Sequence, residues 1–140
     1  VLRFDAYGAF LSGWGTPGTG DGQFASTGSI AADGSGNVYV IDGGNARIQK
    51  FDDAGNFLAK WDSTGDGDGQ FASPQSLTVD AVGNVYVVDA GPRLQKLDST
   101  GTFVSKWSIP GGLVDVDDGG NVYVYTYDSS GGRIQKFACP

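Results

Sequence analysis

The sequence predicts an all-β fold made of repeated four-stranded antiparallel sheets. Glycine accounts for 24 of the 140 residues, hydrophobic residues for 39% and aromatic residues for 12%. A turn-rich chain with enough apolar surface for a core is typical of β-proteins. The pentapeptide Gly-Asn-Val-Tyr-Val occurs at 36–40, 83–87 and 120–124, and tryptophan recurs at positions 14, 61 and 107. A period of about 40–47 residues with four short strands is typical of β-propeller blades.

Strands A and B open each repeat. Strand A ends in aspartate before a turn that closes on Gly-Asn, where Asp caps the turn and Gly supplies positive φ. Its predicted copies are Ile30–Asp33, Leu77–Asp80 and Val114–Asp117. Strand B is a nearly continuous run of β-branched and aromatic residues, which predicts burial on both faces between stacked blades. Its predicted copies are Val38–Ile41, Val85–Val88 and Val122–Tyr125.

Strands C and D complete the repeat, with strand D outermost. The predicted copies of strand C are Ile48–Phe51, Leu94–Leu97 and Ile134–Phe137. Those of strand D are Phe10–Trp14, Phe57–Trp61 and Phe103–Trp107. Because Val1–Asp5 matches Ile48–Asp52, strand C also stands at the start of the sequence. The predicted strand order is therefore C-D, A-B-C-D, A-B-C-D, A-B-C.

We expect residues 1–140 to form a single segment of about three blades of an incomplete propeller. Residues 1–29 hold strands C and D of a split blade and a linker. Residues 30–76 hold blade 1, residues 77–112 hold blade 2, and residues 113–140 hold blade 3, which lacks a strand D.

The order of these motifs resembles the NHL repeat over essentially the whole chain. The pattern consists of GDGQF at 20–24 and 67–71, a strand ending in Asp, GNVYV, RIQKF at 47–51, and a Gly-x-Phe-Leu run ending in Trp. The resemblance implies a β-propeller, usually with six blades, that is mostly a binding scaffold. Some members of the family bind RNA or proteins, and a minority are lyases that use His with a metal. This chain contains no His.

The third repeat departs from this pattern. WSIPGG at 107–112 stands in place of a GDGQF linker, and Thr126 stands where the other repeats have Asp42 and Asp89. An insertion, YDSSGG at 127–132, follows and predicts a longer B–C loop.

Three blades leave two blade faces and two strand edges without a neighbour, whereas propellers close with about four to eight blades. We therefore expect assembly with other copies of the chain, as a ring or a filament, or completion by the remainder of a longer chain. In the ring, the N-terminal strands of one copy close the last blade of another, and one copy of strand C is displaced. The predicted assembly interface comprises Val1, Leu2, Phe4, Phe10, Trp14, Ile134, Phe137 and Cys139.

The composition excludes several functional classes. A net charge of −7 and a pI near 4.2 argue against nucleic-acid binding, which needs a basic face. No apolar run approaches the ~18 residues of a membrane span, so we expect no membrane insertion. Without His, the commonest general base and zinc ligand are absent, and we expect no enzymatic activity. The Asp- and Gly-rich, Lys-poor composition suggests an extracellular or cell-surface location.

The D-to-A and B-to-C loops of a propeller share one face, and here that face is acidic. A cation or a basic peptide could bind it; the alternative is that turns simply require Asp and Gly. The candidate loop-face residues are Asp21, Asp42, Asp68, Asp89 and Asp128. Asp62, Asp66 and Asp68 are weak calcium candidates, because their spacing differs from a calcium loop and the chain has no Glu. We therefore expect no cofactor.

Most repeated polar side chains have a structural explanation. Arg47 and Arg93 are predicted to pair with Asp42 and Asp89 across the B–C hairpin, whereas Asp128 is the acid nearest Arg133. The periodic tryptophans and the glutamines Gln49, Gln95 and Gln135 are predicted to be structural. Lys50, Lys96 and Lys136 are predicted to face solvent.

Within GDGQF, three structural roles are predicted. Asp21 and Asp68 cap turns, Gln23 and Gln70 bind backbone groups, and Phe24 and Phe71 anchor the joint between blades. Asp115 is the one acid inside an apolar strand, and we expect it to lie at an exposed edge.

These observations favour a non-enzymatic propeller scaffold that acts through self-assembly or protein–protein interaction. The alternatives are a calcium-binding or small-ligand-binding propeller, and a fragment of an NHL-like lyase.

Overall fold

The computed structural model describes residues 1–128 and 131–137, which form fifteen β-strands and a 3₁₀ turn at Gly43–Asn45. The strands are β1 (Leu2–Phe4), β2 (Phe10–Gly13), β3 (Thr16–Pro17), β4 (Gln23–Phe24), β5 (Thr27–Ala32), β6 (Val38–Asp42), β7 (Arg47–Phe51), β8 (Phe57–Trp61), β9 (Pro74–Val79), β10 (Val85–Asp89), β11 (Arg93–Leu97), β12 (Phe103–Ser108), β13 (Leu113–Val116), β14 (Val122–Asp128) and β15 (Gly131–Phe137). No helix within these residues is long and apolar enough to span a membrane.

The sheets follow the order of the chain. β1 and β2 form the N-terminal hairpin, β5–β8 form the sheet of blade 1, β9–β12 that of blade 2, and β13–β15 that of blade 3, with antiparallel neighbours throughout. β3 and β4 form a short parallel pair in the linker before blade 1. The predicted order C-D, A-B-C-D, A-B-C-D, A-B-C and the all-β class with four-stranded antiparallel sheets are confirmed.

The N-terminal hairpin is built like the outer half of a blade. In blade 1, the ladder between strands C and D has a bulge between Lys50 and Phe51. The hairpin has its bulge between Arg3 and Phe4, which are the equivalent positions of β1. The hairpin therefore reproduces strands C and D down to the irregularity of their pairing.

The core lies between blades, because both faces of strand B are apolar. The cluster between blades 1 and 2 comprises Tyr39, Ile41, Ile48, Phe71, Leu77, Val85, Val87 and Leu97. The cluster between blades 2 and 3 comprises Tyr86, Val88, Leu94, Ile109, Val114, Val122 and Val124. Val1 and Trp14 of the N-terminal hairpin pack against a third cluster, Phe24, Val40 and Phe51, at the face of blade 1. Each blade is thus stabilised by its neighbours.

The tryptophan at the end of strand D packs on the C–D turn of the next blade. Trp14 covers Gly55 in blade 1, and Trp61 covers Gly101 in blade 2. The Trp61 Nε1 atom also donates a hydrogen bond of 3.0 Å to the Thr100 carbonyl. This repeated contact confirms the predicted structural role of these two tryptophans.

The B–C connection of blade 3 differs from the prediction. The sequence predicts a loop at 127–132, but β14 and β15 extend their ladder into it, so that Thr126 lies opposite Arg133 and Asp128 opposite Gly131. Tyr127, Asp128, Gly131 and Gly132 of the insertion lengthen the two strands, because an antiparallel ladder satisfies their backbone N–H and C=O groups.

We expect Gly101→Ala to destabilise the fold more than Gly36→Ala. The two glycines have φ values of 88° and 84°, so both variants carry a backbone cost of about 1–3 kcal/mol. A Cβ atom at Gly101 would also overlap the Trp61 ring, whereas one at Gly36 would meet its nearest neighbour at 3.5 Å. The overlap should add about 2 kcal/mol, measured by urea unfolding. Equal costs would show that the Trp–turn contact contributes nothing.

Candidate functional site

The B–C corner of blade 1 holds a buried ion pair. Asp42 ends β6 and Arg47 begins β7, opposite each other in the ladder. The Arg47 Nε atom donates to Asp42 Oδ2 at 2.8 Å, and the exposed fractions of the two side chains are 4% and 0%. The pairing predicted from the sequence is confirmed, and we call this pair and its counterpart in blade 2 the Arg–Asp latch.

The latch also holds the linker that enters the blade. The Arg47 guanidinium donates to the carbonyls of Thr19, Gly20 and Gln23 at distances of 2.8–2.9 Å. Asp42 Oδ1 accepts from the backbone N–H of Ala25 at 3.0 Å. One buried ion pair therefore fixes both the hairpin corner and the preceding linker.

Blade 2 repeats the latch with a shorter corner. Arg93 Nη2 donates to Asp89 Oδ2 at 2.8 Å. The same guanidinium donates to the carbonyls of Gly65, Asp66, Gly67 and Gln70 in the linker. Pro92 replaces the segment that carries Asn45, whose Nδ2 atom donates to the aspartate of blade 1. Within the described residues, the buried Arg93 Nε atom has no hydrogen-bond partner.

The latch keeps its carboxylates charged. Burial alone would raise the pKa of Asp42 and Asp89, but hydrogen bonds to the carboxylates outweigh burial and hold both pKa values below the usual 3.8. The donors to Asp42 are Asn45, Arg47 and the N–H groups of Ala25 and Ser26. Those to Asp89 are Arg93 and the N–H groups of Ala72, Ser73 and Ala90.

In both copies of GDGQF the glutamine closes the turn of the linker. Gln23 Oε1 accepts from the N–H of Gly20 at 3.0 Å, and Gln70 Oε1 accepts from the N–H of Gly67 at 2.9 Å. The predicted role of these glutamines is confirmed.

The aromatic residue of GDGQF and the glutamine of strand C hold the linker on the core side. Phe24 and Phe71 are buried in the clusters on either side of blade 1. The Nε2 atoms of Gln49 and Gln95, which are fully buried, donate to linker carbonyls at 2.7 and 2.8 Å. These four predicted structural roles are confirmed.

The aspartates of GDGQF do not cap turns, contrary to the prediction. Asp21 Oδ1 accepts from Lys60 Nζ at 2.8 Å, and Asp68 pairs with Lys106. The lysines on strand D reach over the linker, while glutamine supplies the acceptor in the turn. Because all four side chains are at least 36% exposed, each pair contributes about 0–1 kcal/mol.

The predicted loop face is therefore corrected for two of its five aspartates. Asp42 and Asp89 are 0% exposed, and the latch already uses their oxygens, so they offer no free oxygen to a ligand. Asp21 and Asp68 are exposed but paired with lysine. Asp128 ends β14 opposite Gly131, and its side chain lies outside the described structure.

The three calcium candidates are not brought together. Asp62 lies 3.7 Å from Lys60 Nζ, Asp68 pairs with Lys106, and the carbonyl of Asp66 accepts from the Arg93 latch. Within residues 1–128 and 131–137, no three His, Cys, Asp or Glu residues form a group that could hold a metal ion.

The A–B turns carry a repeated arrangement that the sequence analysis missed. Asp33 Oδ1 accepts from the backbone N–H of Asn37 at 2.9 Å, while Oδ2 accepts from Asn37 Nδ2 at 2.7 Å and from the Tyr39 hydroxyl at 3.1 Å. Burial and the neighbouring Asp33 raise the pKa of Tyr39, so the phenol remains a donor. The arrangement recurs as Asp80–Asn84–Tyr86 and Asp117–Asn121–Tyr123.

The lysines of strand C were predicted to face solvent, but each of them contacts a tyrosine ring. Each ammonium lies over the tyrosine opposite it on strand B, with Nζ-to-centroid distances of 5.1, 5.4 and 5.3 Å for Lys50–Tyr39, Lys96–Tyr86 and Lys136–Tyr123. Such a contact is a cation–π interaction. The register that places Lys opposite Tyr was readable from the repeat spacing.

Asp115 lies at an exposed position of β13, as expected. Its Oδ1 atom accepts from the Thr78 hydroxyl on the inner strand of blade 2 at 3.2 Å. An exposed carboxylate with this contact differs from the buried carboxyl that general acid catalysis at neutral pH requires.

Three of the five predicted assembly residues of the N-terminal hairpin are exposed. Leu2, Phe4 and Phe10 are 66%, 52% and 61% exposed, whereas Val1 and Trp14 are half-buried against blade 1. Large apolar side chains of the hairpin thus remain in solvent.

Blade 3 ends the array with a bare apolar row. Leu113, Tyr125 and Ile134 are cross-strand neighbours and are 63%, 42% and 73% exposed. The equivalent residues of blade 2, Val88 and Leu94, are fully buried in the cluster shared with blade 3. We call this row the exit face. Phe137 is half-buried against that same cluster, and Cys139 lies outside the described residues.

No family model matches the sequence, and no curated protein does. Solved structures do match. A Bacteroides fragilis protein named as a candidate exported protein has a TM-score of 0.66 at 17% identity, with 85% of this chain and 36% of that chain covered. The calcium-binding protein regucalcin of Agrobacterium tumefaciens has a TM-score of 0.56 at 17% identity, with 74% and 38% covered.

Streptogramin B lyase has a TM-score of 0.57 at 17% identity, with 84% of this chain and 42% of that chain covered, and a WD40 β-propeller domain also matches. The chain thus has a β-propeller fold and spans about two fifths or less of the length of these proteins.

We expect acid to destabilise the fold through the latch. The pKa of Asp42 and Asp89 is lower in the folded chain than the usual 3.8, so their contribution is complete above about pH 4 and is lost as pH falls through the lower folded values. Urea unfolding between pH 7 and pH 2 measures this loss. Asp89→Asn should cost about 3–5 kcal/mol at pH 7 and flatten the acid slope. Asp118→Asn, in an exposed turn, should change neither, and equal slopes in all three proteins would contradict the expectation.

Proposed function

We propose that the chain is a non-enzymatic propeller scaffold whose uncovered blade faces bind protein, either further copies of the chain or a different polypeptide. The observation that carries this proposal is the exit face, where three large side chains are 42–73% exposed and two of them, Tyr125 and Ile134, stand in positions whose equivalents in blade 2 are fully buried. Burying a large apolar side chain contributes about 1.5–3 kcal/mol, so this row favours a protein partner.

Self-association has support at both ends of the array. The exit face is uncovered on blade 3, and Leu2, Phe4 and Phe10 are uncovered on the N-terminal hairpin. Blade stacking within the chain already joins surfaces of these two kinds twice. A heterologous contact between such surfaces generates a ring if the rotation closes, and a filament otherwise.

The proposal includes that the chain has no enzymatic activity. The most deeply buried carboxylates, Asp42 and Asp89, are committed to latch hydrogen bonds, and the sequence offers no His as a base. The acidic charge disfavours nucleic acid as a partner. The likeness to streptogramin B lyase supports a lyase fragment only through the shared fold.

The NHL resemblance and the location belong to the same proposal. The repeated GDGQF, GNVYV and RIQK motifs support an NHL-like scaffold. An extracellular or cell-surface location is supported by the name of the Bacteroides fragilis protein with the similar fold.

A calcium-binding or small-ligand-binding propeller is the second candidate. The likeness to regucalcin, whose name gives it as a calcium-binding protein, is the observation that favours it. Of the three predicted calcium ligands, Asp62 and Asp66 are exposed. Among the described residues, neither carboxylate has a lysine nitrogen closer than 3.7 Å.

We expect Leu113→Lys to weaken self-association. Leu113 is 63% exposed, so the charge should leave the free energy of unfolding within about 0.5 kcal/mol, but it should oppose burial of the exit face. The dissociation constant from sedimentation equilibrium should rise about tenfold or more, equivalent to ~1.4 kcal/mol. Val82→Lys, at a residue 77% exposed in the A–B turn of blade 2, is the matched control and should have no effect. A monomeric wild type at all concentrations would refute self-association.

We expect millimolar calcium to leave the melting temperature unchanged. A ligand that binds only the folded state raises that temperature by mass action. A rise that disappears in Asp62→Asn/Asp66→Asn would instead establish the second candidate.

A further inference from the structure

We infer that the partner of the exit face is a second copy of the chain, and that the two copies exchange strand C: β1 of one copy replaces β15 on β14 of the other. The inference rests on the proposed function, and it specifies which of the two duplicated strands leaves. The completed blade consists of β13 and β14 from one copy and β1 and β2 from the other.

The N-terminal hairpin has the features needed to serve as strands C and D of blade 3 in the second copy. Its β1–β2 pairing has the bulge of a complete blade at the equivalent place, and β2 supplies the strand D that blade 3 lacks among the described residues. The side of β1 opposite β2 has no strand paired to it in the described structure. In blade 1 that side of strand C is paired with strand B.

β15 is the strand that is easier to displace. Strands β7 and β11, which hold the same position in blades 1 and 2, are buried at every residue but the lysine. β15 is exposed at five of its seven residues and half-buried at the two ends. Releasing β15 therefore exposes little apolar surface, whereas the incoming hairpin brings Phe4 and Phe10, which contact each other edge to face.

An open groove lies beside β1, where the incoming strands would pack. A groove of about 460 Å³ separates β1 from the inner strand β5, and it is lined mainly by apolar residues that include Val1, Leu2, Trp14, Ile30 and Val38. A further cavity of about 240 Å³ lies along β5 between Val1 and Thr27. Strands A and B of the preceding blade occupy this place at blade 2, where β5 contacts β9. In the proposed assembly, β13 and β14 of the second copy fill the groove.

One further contact would be completed in the assembly. Trp14 packs on Gly55 and Trp61 on Gly101, but the equivalent turn glycine of the hairpin, Gly8, has no atom within 4 Å of its Cβ position. Trp107 ends strand D of blade 2 and has no C–D turn after it among the described residues. Exchange places the C–D turn of the hairpin, with Gly8, next to Trp107 of the second copy.

The exchange closes a ring. With β15 displaced, each copy supplies two complete blades, one A–B half and one C–D half. Two copies related by a twofold axis then form six complete four-stranded blades, within the range of about four to eight blades at which propellers close. Among the described strands, only the linker pair β3–β4 and the released β15 of each copy stand outside these blades.

A disulfide that locks β15 on β14 tests the exchange. Val124 and Gln135 are ladder partners, and residues opposite each other in a ladder lie within disulfide range. Val124→Cys/Gln135→Cys in a Cys139→Ser background should be monomeric when oxidised and should regain the wild-type dimer of 14.5 kDa chains after reduction. The dissociation constant should differ by ~100-fold or more between the two states. Lys50→Cys/Ala59→Cys, ladder partners in blade 1, controls for the disulfide itself.

A second variant distinguishes exchange from simple stacking. Ile134 is on β15 and 73% exposed, so Ile134→Lys should leave the dimer intact if β15 is released, although Leu113→Lys weakens it. Assembly that persists with the oxidised lock, or that is lost in Ile134→Lys, would overturn the exchange and leave self-association standing. A wild type that remains monomeric would overturn both.

Discussion

The stacking of one blade on the next is the interaction on which the rest of the structure depends. Strand B is apolar on both faces, so a blade has a stable environment only between two neighbours. Tyr86, Val87 and Val88 of blade 2 meet this condition and are fully buried. The exit face of blade 3 does not, and each of its large side chains forgoes about 1.5–3 kcal/mol of burial. The uncovered faces are therefore the surfaces that gain most from a partner, and the proposed protein binding and strand exchange both involve them.

The Arg–Asp latch explains why the third repeat is irregular as a unit. The latch needs an aspartate at the end of strand B, an arginine at the start of strand C and a long linker whose carbonyls face the guanidinium. The third repeat lacks the aspartate, where Thr126 stands, and also the GDGQF linker. Its short linker is held instead by the buried Ile109, whose N–H donates to the Pro92 carbonyl at 3.0 Å. The third repeat therefore lacks both the aspartate and the linker carbonyls that the arginine binds in the other two blades.

The repeat made most of the architecture predictable from the sequence. Spacing alone gave the strand order, and the alignment of Asp42 with Arg47 across a short hairpin gave the latch pair. The lysine contact of Asp21 was not predictable in this way, since Lys60 lies 39 residues away in the sequence, on the outer strand of blade 1. Acidic loops likewise look alike in sequence, and only the structure separates buried Asp89 from exposed Asp68. The side chain of Asp128 lies outside the described structure, so its predicted role stays a prediction.

The direction of the latch contacts has a consequence for how the chain acquires its fold. Arg47 and Arg93 bind linker residues that lie 23 to 28 positions earlier in the chain. During synthesis from the N-terminus, each latch therefore closes on polypeptide that already exists, and a blade needs nothing downstream to lock its entrance. Domains generally fold in the order of their synthesis, and contacts directed back along the chain suit the same order inside a domain, blade after blade.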